Sequence, residues 1–565
     1  MTDEKKVVRL NERRGESAMV RPVEKIDEIL TRDDAESYIK TMNPHGLYRL
    51  IQEAGFDQGM DLIPYASPEQ IQIFVDLDCW KRDVIETDRV AAWLAVLVAD
   101  ADDAHFHRAV RDLDPEVMAL FFKKSFVAVE LVEDGEIPAG MPSNTELSPD
   151  NAYALVYPEE QDIAALLRAL LQRIYDLDMG LAWTLLEAVR WELASEMEET
   201  AYRFRTSRLE ELGFVERTEA LEVYALVQPV KLRERWESGE WEAKVAAVIP
   251  DDLQVPAVVR ASTGEDLFFF EVLETVEDGE AAEALLSELA VLSNRTMLAD
   301  GIEPGELESG QEVVRRTTGF LSLGLEFLSR GEEDRAREAL STVALKTLFQ
   351  VGHSIAQNLR QKSRHIEDRP TLSLVEGVPF SLLSPDEAAL FEGLQDLRPS
   401  YARDRYEFEV FNRQKQVDDA AVRIGMVAFK QLWLFGVQQK TVEELAPLVY
   451  EGSLKNEPDR VSFDVFFATA VATLLVAGKA ELRGLTVEEL GELPAKLRER
   501  SWEEDMLGAF EPVIGPILVA MPAATARLAT RWLEETLERL VDELAAVEAV
   551  EEVEPLLDLV LVENA

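Results

Sequence analysis

The sequence predicts a mainly α-helical fold, with a multi-helix, solenoid-like α-superhelical body and small β-hairpin insertions near residues 126–157 and 245–272. The first observation behind this prediction is a helix start that recurs 47 residues along the chain, as Ser67-Pro68-Glu69 and then Asp114-Pro115-Glu116. Ser67 and Asp114 are residue types that accept from the free N–H groups of a first helical turn, and proline is tolerated at the next position. A period of roughly 40–47 residues is typical of stacked helix-pair repeats.

The second observation is the apolar spacing that follows each start. The two stretches carry apolar residues at matching offsets, namely Ile71, Phe74 and Val75 in one and Met118, Phe121 and Phe122 in the other. Spacings of three and four residues place these side chains on one helical face that can pack against a neighbouring helix. Ser384-Pro385-Asp386 repeats the opening further along the chain.

The third observation is where the helical period fails. Phe126 to Val132 is rich in β-branched residues, and Tyr153 to Tyr157 forms a second strand candidate after a polar loop. Apolar runs between prolines and glycines predict a second small β-containing insertion, at Val245–Ile249, Val255–Val259 and Leu267–Val272.

These signals divide the chain into seven segments. They are a flexible tail (1–22), a helical repeat domain (23–124), a β-hairpin insertion (125–158), a helical segment (159–227), a β-containing insertion (228–278), a helical segment (279–366) and a C-terminal helical domain with an acidic tail (380–565). Leu212-Gly213-Phe214 predicts a helix stop in which glycine takes the left-handed turn.

Composition limits the class of partner. The chain has 565 residues, 47% of them apolar, and a formal charge of −51. Nucleic acid is excluded as a partner because phosphate binding depends on Lys and Arg, and an anionic membrane surface is disfavoured for the same reason. Basic proteins and weak, diffuse divalent-cation binding remain open, and an acidic surface also serves solubility alone.

A single cysteine, Cys79, excludes an intrachain disulfide and fits a reducing compartment. The polar N-terminus does not resemble a signal peptide. The most apolar run, Val465 to Gly478, is shorter than the roughly 20 residues that span a bilayer. We therefore expect a cytoplasmic protein without membrane insertion.

Common catalytic signatures are missing from the sequence: it has no phosphate-binding loop, no dinucleotide fingerprint, no His-Glu-x-x-His and no Gly-x-Ser-x-Gly. The sequence favours a protein that is not an enzyme, and it indicates no cofactor, no metal site and no catalytic residue. His105 and His107 diverge by about 200° on a helix. Cys79 beside Trp80 is typical of a packed core residue.

Two acid pairs, Asp76 with Asp78 and Asp176 with Asp178, each flank a leucine. On a helix the two acids of a pair diverge and the leucine is buried, so neither pair is expected to hold a metal-bound substrate.

Two groups of positive charge stand out in this acidic chain. Arg360, Lys362, Arg364 and His365 lie at a predicted helix end, where they favour the helix dipole or contact an anion or acidic partner. The other group, Arg398, Arg403, Arg405 and Arg413, alternates with Tyr401, Tyr406, Phe408 and Phe411. Arginine with aromatic residues is typical of interface anchors, but pairing with the chain's own glutamates explains the same pattern.

Two resemblances add to this interpretation. The segment His45–Lys124, with its Leu-Asp-Pro-Glu helix start at Leu113, resembles the cytosolic superhelical repeat domain of bacterial magnesium transporters. The whole chain resembles a large uncharacterised bacterial protein family of unknown function, on the stretches Asp76–Trp80, Arg208–Phe214 and Leu348–Gly352. Neither resemblance implies catalytic residues.

The leading hypothesis is a non-enzymatic protein-interaction scaffold of the bacterial cytoplasm with an unidentified protein partner. One alternative is a regulatory domain that responds to a divalent cation or a ligand. The other is an enzyme with an unrecognised site, which would place His353 or His365 in a cleft with buried carboxylates.

Overall fold

Helices form most of the protein, as the sequence predicts. The computed structural model describes residues 22–131, 137–241, 267–367, 382–498, 514–544 and 554–564. The predicted flexible tail and most of the acidic C-terminal stretch lie outside these residues.

The helices of the first half are α1 (Pro22–Leu30), α2 (Ala35–Thr41), α3 (Pro44–Ala54), α4 (Phe56–Gly59), α5 (Pro68–Asp78), α6 (Thr87–Ala99), α7 (Asp103–Asp112), α8 (Pro115–Ser125), α9 (Gln161–Leu177), α10 (Met179–Trp191), α11 (Ala194–Glu211), α12 (Arg217–Ala220), α13 (Pro229–Glu237) and α14 (Phe268–Leu273). Those of the second half are α15 (Gly279–Asp300), α16 (Leu307–Ser329), α17 (Glu333–Thr342), α18 (Leu345–Glu367), α19 (Pro385–Gln395), α20 (Gln414–Leu432), α21 (Val442–Tyr450), α22 (Phe463–Ala477), α23 (Val487–Arg498) and α24 (Ala523–Leu544). Shorter 3₁₀ turns are at Met60–Tyr65, Leu221–Tyr224, Pro458–Arg460 and Glu554–Asp558, a π turn is at Trp433–Val437, and residues 514–520 are also helical.

The recurring helix starts are confirmed at all three positions. The Ser67 hydroxyl accepts from the N–H of Gln70, whose side chain returns a bond to the Ser67 N–H. Asp114 accepts from the N–H of Glu116, and Ser384 forms a second reciprocal box with Glu387. Local capping therefore fixes where these helices begin. A solenoid-like arrangement of the helices stays a prediction.

Within the described residues, three small antiparallel sheets interrupt the helices. The strands are β1 (Trp80–Lys81), β2 (Val84–Ile85), β3 (Val127–Glu130), β4 (Thr145–Leu147), β5 (Tyr153–Val156), β6 (Ser400–Ala402) and β7 (Phe408–Val410). β1 pairs with β2, and β6 pairs with β7. The first predicted insertion is confirmed as β-structure, but it has three strands in the order β3-β5-β4, with Val127 opposite Val156.

Two local predictions are wrong. The repeat domain is not helical throughout, because β1 and β2 form a tight hairpin in which Arg82 adopts a left-handed backbone (φ 61°). At the end of the second predicted insertion, α14 is a helix, since its consecutive phenylalanines are buried and a short apolar run does not distinguish a buried helix from a strand. Residues 242–266 of that insertion lie outside the described residues.

The chain divides into two compact units. Unit 1 contains Met1–Ala225, Glu242–Thr318 and Glu332–Gln350, and unit 2 contains Leu226–Trp241, Gly319–Gly331 and Val351–Ala565. In unit 1, Trp93 is fully buried and meets Phe56 edge-on at 5.1 Å between ring centroids. In unit 2, Trp433 is fully buried against Phe467 at 5.3 Å. Burial of each such side chain contributes roughly 1.5–3 kcal/mol to its own core.

Unit 2 also contains a buried cation. Lys430 on α20 is 4% exposed, and its Nζ lies 2.8 Å from Glu387 Oε1 and 3.4 Å from Asp464 Oδ1. Burial acts to lower the pKa of Lys430, but the two carboxylates outweigh burial and raise it. The ammonium group therefore stays charged and joins α19, α20 and α22.

Candidate functional site

A charged clamp lies inside unit 1. Arg208 on α11 donates from Nε to Asp76 Oδ2 at 2.6 Å and from Nη2 to Asp76 Oδ1 at 2.9 Å. Both Nη atoms also donate to Asp114 Oδ2 at 3.1 Å. One guanidinium therefore joins α11 to the end of α5 and to the start of α8.

The clamp is buried, which sets its electrostatics. Asp76 has no exposed surface, and burial raises the pKa of Asp76 while Arg208 opposes that rise. Burial acts to lower the pKa of the Arg208 guanidinium, but the hydrogen bonds and charges of Asp76 and Asp114 raise it. Arg208 and the two carboxylates are charged partners that stabilise the fold, and both carboxylates are buried.

The two acids of each pair bind separate partners, as expected from helical geometry. Asp78 accepts from the Tyr48 hydroxyl and from Trp93 Nε1, both at 2.9 Å, and therefore points away from Asp76. Leu77 between these acids is buried. In the second pair the acids also have separate partners, but Leu177 is 37% exposed, so the expectation of a buried leucine is wrong there.

The histidine pair of α7 does not converge. His105 contacts Asp100 at 2.6 Å through Nδ1 and the Ala66 carbonyl at 3.0 Å through Nε2. His107 faces Asp178 instead, at 3.4 Å. Asp102 caps the helix by accepting from the Ala104 N–H.

Cys79 is fully buried, and burial raises the pKa of its thiol. A thiol that stays protonated is a poor nucleophile, so Cys79 is a core residue. Across the described ranges, the structure shows no group of three or more His, Cys, Asp or Glu side chains arranged to hold a metal ion.

An open cleft of about 310 Å³ lies in unit 1 beside β1 and β2. Its ionic lining is Arg82, Asp83, Arg205, Glu216, Arg217 and Glu303, and its less polar lining is Tyr202, Thr206, Leu209, Phe214, Val215, Leu298, Gly301 and Ile302. The predicted helix stop forms one wall: Gly213 has φ 85°, and the Phe214 N–H donates to the Leu209 carbonyl at 2.9 Å. The helix stop is therefore confirmed, and it directs the buried Phe214 to the cleft.

Arg205 lines this cleft and is 4% exposed. Its Nε donates to the Asp76 carbonyl at 2.7 Å, and its Nη2 donates to Glu303 Oε2 at 3.1 Å. The other oxygen of Glu303 accepts from the Arg82 N–H at 2.8 Å. These bonds hold the β1–β2 turn against the Glu303 loop and give the cleft a fixed shape.

In unit 2, three predicted contact residues come together at the C-terminal end of α19. Arg360 donates to the Gln395 carbonyl at 3.0 Å, and Arg364 donates to the Gln395 side chain at 2.8 Å. Burial lowers the pKa of Arg360, and the charges of Arg364 and Arg398 lower it further, although the nearby charge of Asp396 opposes them. We name Arg360, Arg364 and Arg398 the basic cluster.

His353 lies beneath this cluster rather than among carboxylates. It is 3% exposed, and its ring meets Phe320 edge-on at 5.6 Å. Burial lowers its pKa to about 4, with smaller contributions from Arg398 and Arg360. The neutral imidazole accepts from Gln357 at 3.2 Å. His353 is therefore a core histidine with an arginine neighbourhood, which differs from the acid–base cleft that the enzyme hypothesis needs.

The remaining predicted cations are separated. Lys362 and His365 are exposed on the last turns of α18, and Arg413 is at the N-cap of α20. Arg403 forms ion pairs with Glu407 at 3.3 Å and Glu409 at 2.7 Å, so intramolecular pairing accounts for this arginine.

The turn between β6 and β7 presents an arginine on an aromatic ring. The Arg405 guanidinium lies 4.7 Å from the centroid of Tyr406, which is 75% exposed. Phe408 is 47% exposed, and Leu397 beside the basic cluster is 66% exposed. We name Arg405, Tyr406 and Phe408 the aromatic turn. In the part of the chain that the structure describes, no carboxylate lies within ion-pair distance of Arg360, Arg364 or Arg405.

Sequence reasoning found the arginines of unit 2 but missed the cleft of unit 1. Arg82, Arg205, Arg217 and Glu303 come from four separate stretches, and their convergence has no local signal. The helix stop at Gly213 was visible, and it marks one wall.

Fold and sites together define a mainly helical protein of two compact units, with a charged cleft in one and an exposed basic and aromatic surface in the other. A family of unknown function, DUF6178, matches residues 2–563, and the chain belongs to this family. The family resemblance drawn from the whole sequence is thereby confirmed, whereas the resemblance to magnesium transporters stays unconfirmed. No curated protein and no solved structure matches the chain. Among the described helices, none is both long and apolar enough to cross a membrane.

Proposed function

We propose that the protein is a non-enzymatic interaction scaffold of the bacterial cytoplasm that binds an acidic protein partner through unit 2. The contact surface consists of the basic cluster, Leu397 and the aromatic turn. The observation that carries the proposal is the exposure of Leu397, Tyr406 and Phe408 beside arginine side chains. Among the described residues, Arg360, Arg364 and Arg405 have no carboxylate within ion-pair distance, although the chain has a formal charge of −51.

Electrostatics favour an acidic partner at this surface. A chain with 109 acidic residues has ample carboxylates to neutralise its arginines, yet Arg360 has its pKa lowered by burial and by other arginines. Carboxylates supplied by a partner would relieve that repulsion. Charge-assisted hydrogen bonds to arginine are among the stronger polar contacts.

The apolar residues supply the other half of an interface. Tyrosine and arginine are enriched among the residues that dominate binding free energy, whereas isolated surface charges contribute little. One end of the aromatic turn lies near the start of α19, because the Arg405 N–H donates to Asp386 at 3.1 Å. Asp386 and Gln395 are nine residues apart on α19, so Arg405 and the basic cluster lie about 14 Å apart along its axis. Phe408 lies between them, next to Gly393. That spacing suits an extended acidic segment or the edge of a small domain.

The test is a quantitative pull-down from native cell lysate with three full-length proteins. These are the natural chain, a variant with Arg364→Glu and Arg405→Glu, and a control with Arg527→Glu and Arg531→Glu. The control changes two exposed arginines of α24 in the same unit and alters net charge equally. Moderate salt is used because it screens diffuse charge contacts.

We expect one stoichiometric acidic protein to be retained by the natural chain and by the control and to be lost from the first variant. A partner that binds all three proteins equally would show that this surface is not the contact site. Capture of basic proteins alone, lost as salt rises, would overturn the proposal.

A further inference from the structure

The cleft of unit 1 contains ionic groups that the fold itself does not use. Arg205 and Glu303 are consumed by each other and by nearby backbone groups. Arg82 and Arg217 are exposed, and within the described ranges neither guanidinium has a hydrogen bond or ion pair. Asp83 and Glu216 also line the cleft and are exposed.

The local charge balance selects the kind of ligand. Two unused arginines are offset by two unused carboxylates, so the cleft has both signs of charge and almost no net charge. A multiply charged phosphate gains little there, because the chain around it is strongly acidic. A ligand with one carboxylate and one ammonium group can satisfy an arginine and an acid together.

The walls of the cleft require an apolar body on the same ligand. Leu209 and Phe214 are buried residues of its lining, and Leu298 and Ile302 are partly exposed. The volume of about 310 Å³ is at the small end of the range for ligand sites. The cleft therefore suits a small molecule better than a peptide chain.

We propose that this cleft binds a free α-amino acid with an apolar side chain. Arg82 and Arg217 would hold the carboxylate, Asp83 or Glu216 the ammonium group, and the wall of Phe214, Leu298 and Ile302 the side chain. Such a site is independent of the partner surface of unit 2.

A structural role for the same residues accounts for only part of the pattern. The Arg217 guanidinium lies against Gly301, where a Cβ atom would be 3.2 Å from Nη2, and Gly301 ends α15. A cation there favours the helix dipole. That explanation does not extend to Arg82, whose left-handed backbone (φ 61°) places an exposed arginine at the rim.

The test is calorimetric titration of the full-length protein with L-leucine and L-phenylalanine. Two analogues of leucine separate the charged groups: 4-methylpentanoate lacks the ammonium group, and 3-methylbutan-1-amine lacks the carboxylate. The variants are Arg82→Asn, which tolerates the left-handed backbone, and Arg217→Ala. Arg203→Ala is the matched control, since Arg203 is an exposed arginine of α11 that pairs with Glu199 and does not line the cleft.

We expect saturable binding of at least one amino acid, at least about tenfold tighter than either analogue, because each analogue loses a charge-assisted hydrogen bond. Arg82→Asn and Arg217→Ala should each weaken binding about tenfold or more, and Arg203→Ala should leave it unchanged. Melting curves without ligand verify that each variant is folded, and the ligand should raise the melting temperature of the natural chain.

Three results would overturn the proposal. One is the absence of saturable heat for both amino acids at millimolar concentration. Another is an equal affinity for leucine and 4-methylpentanoate, which would remove the role of Asp83 and Glu216. The third is binding by both cleft variants that equals that of Arg203→Ala.

Discussion

Arg208 in unit 1 and Arg360 in unit 2 show what an acidic chain does with an arginine. Arg208 is enclosed by Asp76 and Asp114, and its pKa is raised. Arg360 is held by the Gln395 carbonyl and the Gln357 amide, and its pKa is lowered. Its Nε is buried and has no hydrogen-bond partner among the described residues. The first arginine joins three helices, and the second has no ion pair among the described residues, with only the nearby charge of Asp396 opposing the other arginines.

The difference does not arise from a shortage of internal ion pairs in unit 2, because Lys430 there lies between two carboxylates. Both units contain a cation paired with two carboxylates, whereas the basic cluster gathers three arginines at the end of α19. A cation that is paired with buried carboxylates indicates a structural role. A surface arginine that lies beside other arginines is the better candidate for binding a partner.

The largest expected effect is on the structural side of this comparison. Arg208→Met should lower the free energy of unfolding by about 3–5 kcal/mol, since it leaves Asp76 and Asp114 buried without their cation. Urea denaturation measures the change, with the exposed Arg203→Met on the same helix as control. Equal stability of the two variants would show that the clamp does not hold unit 1 together.

The second prediction concerns His353, which lies beneath the basic cluster and makes the stability of the fold depend on pH. The pKa of His353 is about 4 in the folded chain, against an ordinary value of 6.5, so the unfolded chain binds the proton more readily. The contribution of His353 is therefore fully present above pH 6.5 and is lost as pH falls toward 4, by roughly 3 kcal/mol at most.

His353→Gln removes this titration. We expect the stability of the natural chain to fall more steeply between pH 6.5 and 4 than that of His353→Gln, whatever their difference at pH 7. Denaturation midpoints at four or five pH values measure the two slopes. Parallel slopes would mean that His353 accepts a proton in the folded chain.

Arg360→Met is the direct counterpart of Arg208→Met, and its expected effect is smaller. Removal of one of three clustered arginines should change stability by no more than about 1 kcal/mol, because relief of the repulsion from Arg364 and Arg398 offsets the lost attraction to Asp396 and the lost bond to the Gln395 carbonyl. The same urea experiment measures it. A loss above about 2 kcal/mol would place Arg360 with Arg208 as a structural residue.

The smallest effect is expected in the aromatic turn. Arg405→Ala should change stability by less than about 0.5 kcal/mol, since its side chain contacts the exposed Tyr406 and the bond to Asp386 comes from the backbone. Thermal unfolding with and without the captured partner measures this. A large change without partner would mean that the turn maintains the fold.

The sequence predicts features that depend on neighbouring residues. The caps at Ser67, Asp114 and Ser384 and the stop at Gly213 were predictable because each involves a bond within one helical turn. The strand Tyr153–Val156 was predictable from its composition, but its position between β3 and β4 depends on pairing at a distance.

The same limit applies to the sites. Basic residues near 360 and 398 were visible as composition, whereas their meeting at Gln395 depends on how α18 packs beside α19. The cleft was invisible because Arg82, Arg205 and Glu303 lie far apart in the chain. The split between Arg403, which pairs with glutamates, and Arg405, which does not, depends on the β6–β7 turn and not on residue type.

Asp114 both caps α8 and binds Arg208 of α11, and these two bonds make the opening of the two helices cooperative. One oxygen accepts the Glu116 N–H at the start of α8, and the other accepts the Arg208 guanidinium from α11. Fraying of the first turn of α8 therefore weakens the attachment of α11, and detachment of α11 loosens that turn. The exchange of the Glu116 amide hydrogen with solvent thus reports the opening of two helices that lie far apart in the chain and unfold as one unit.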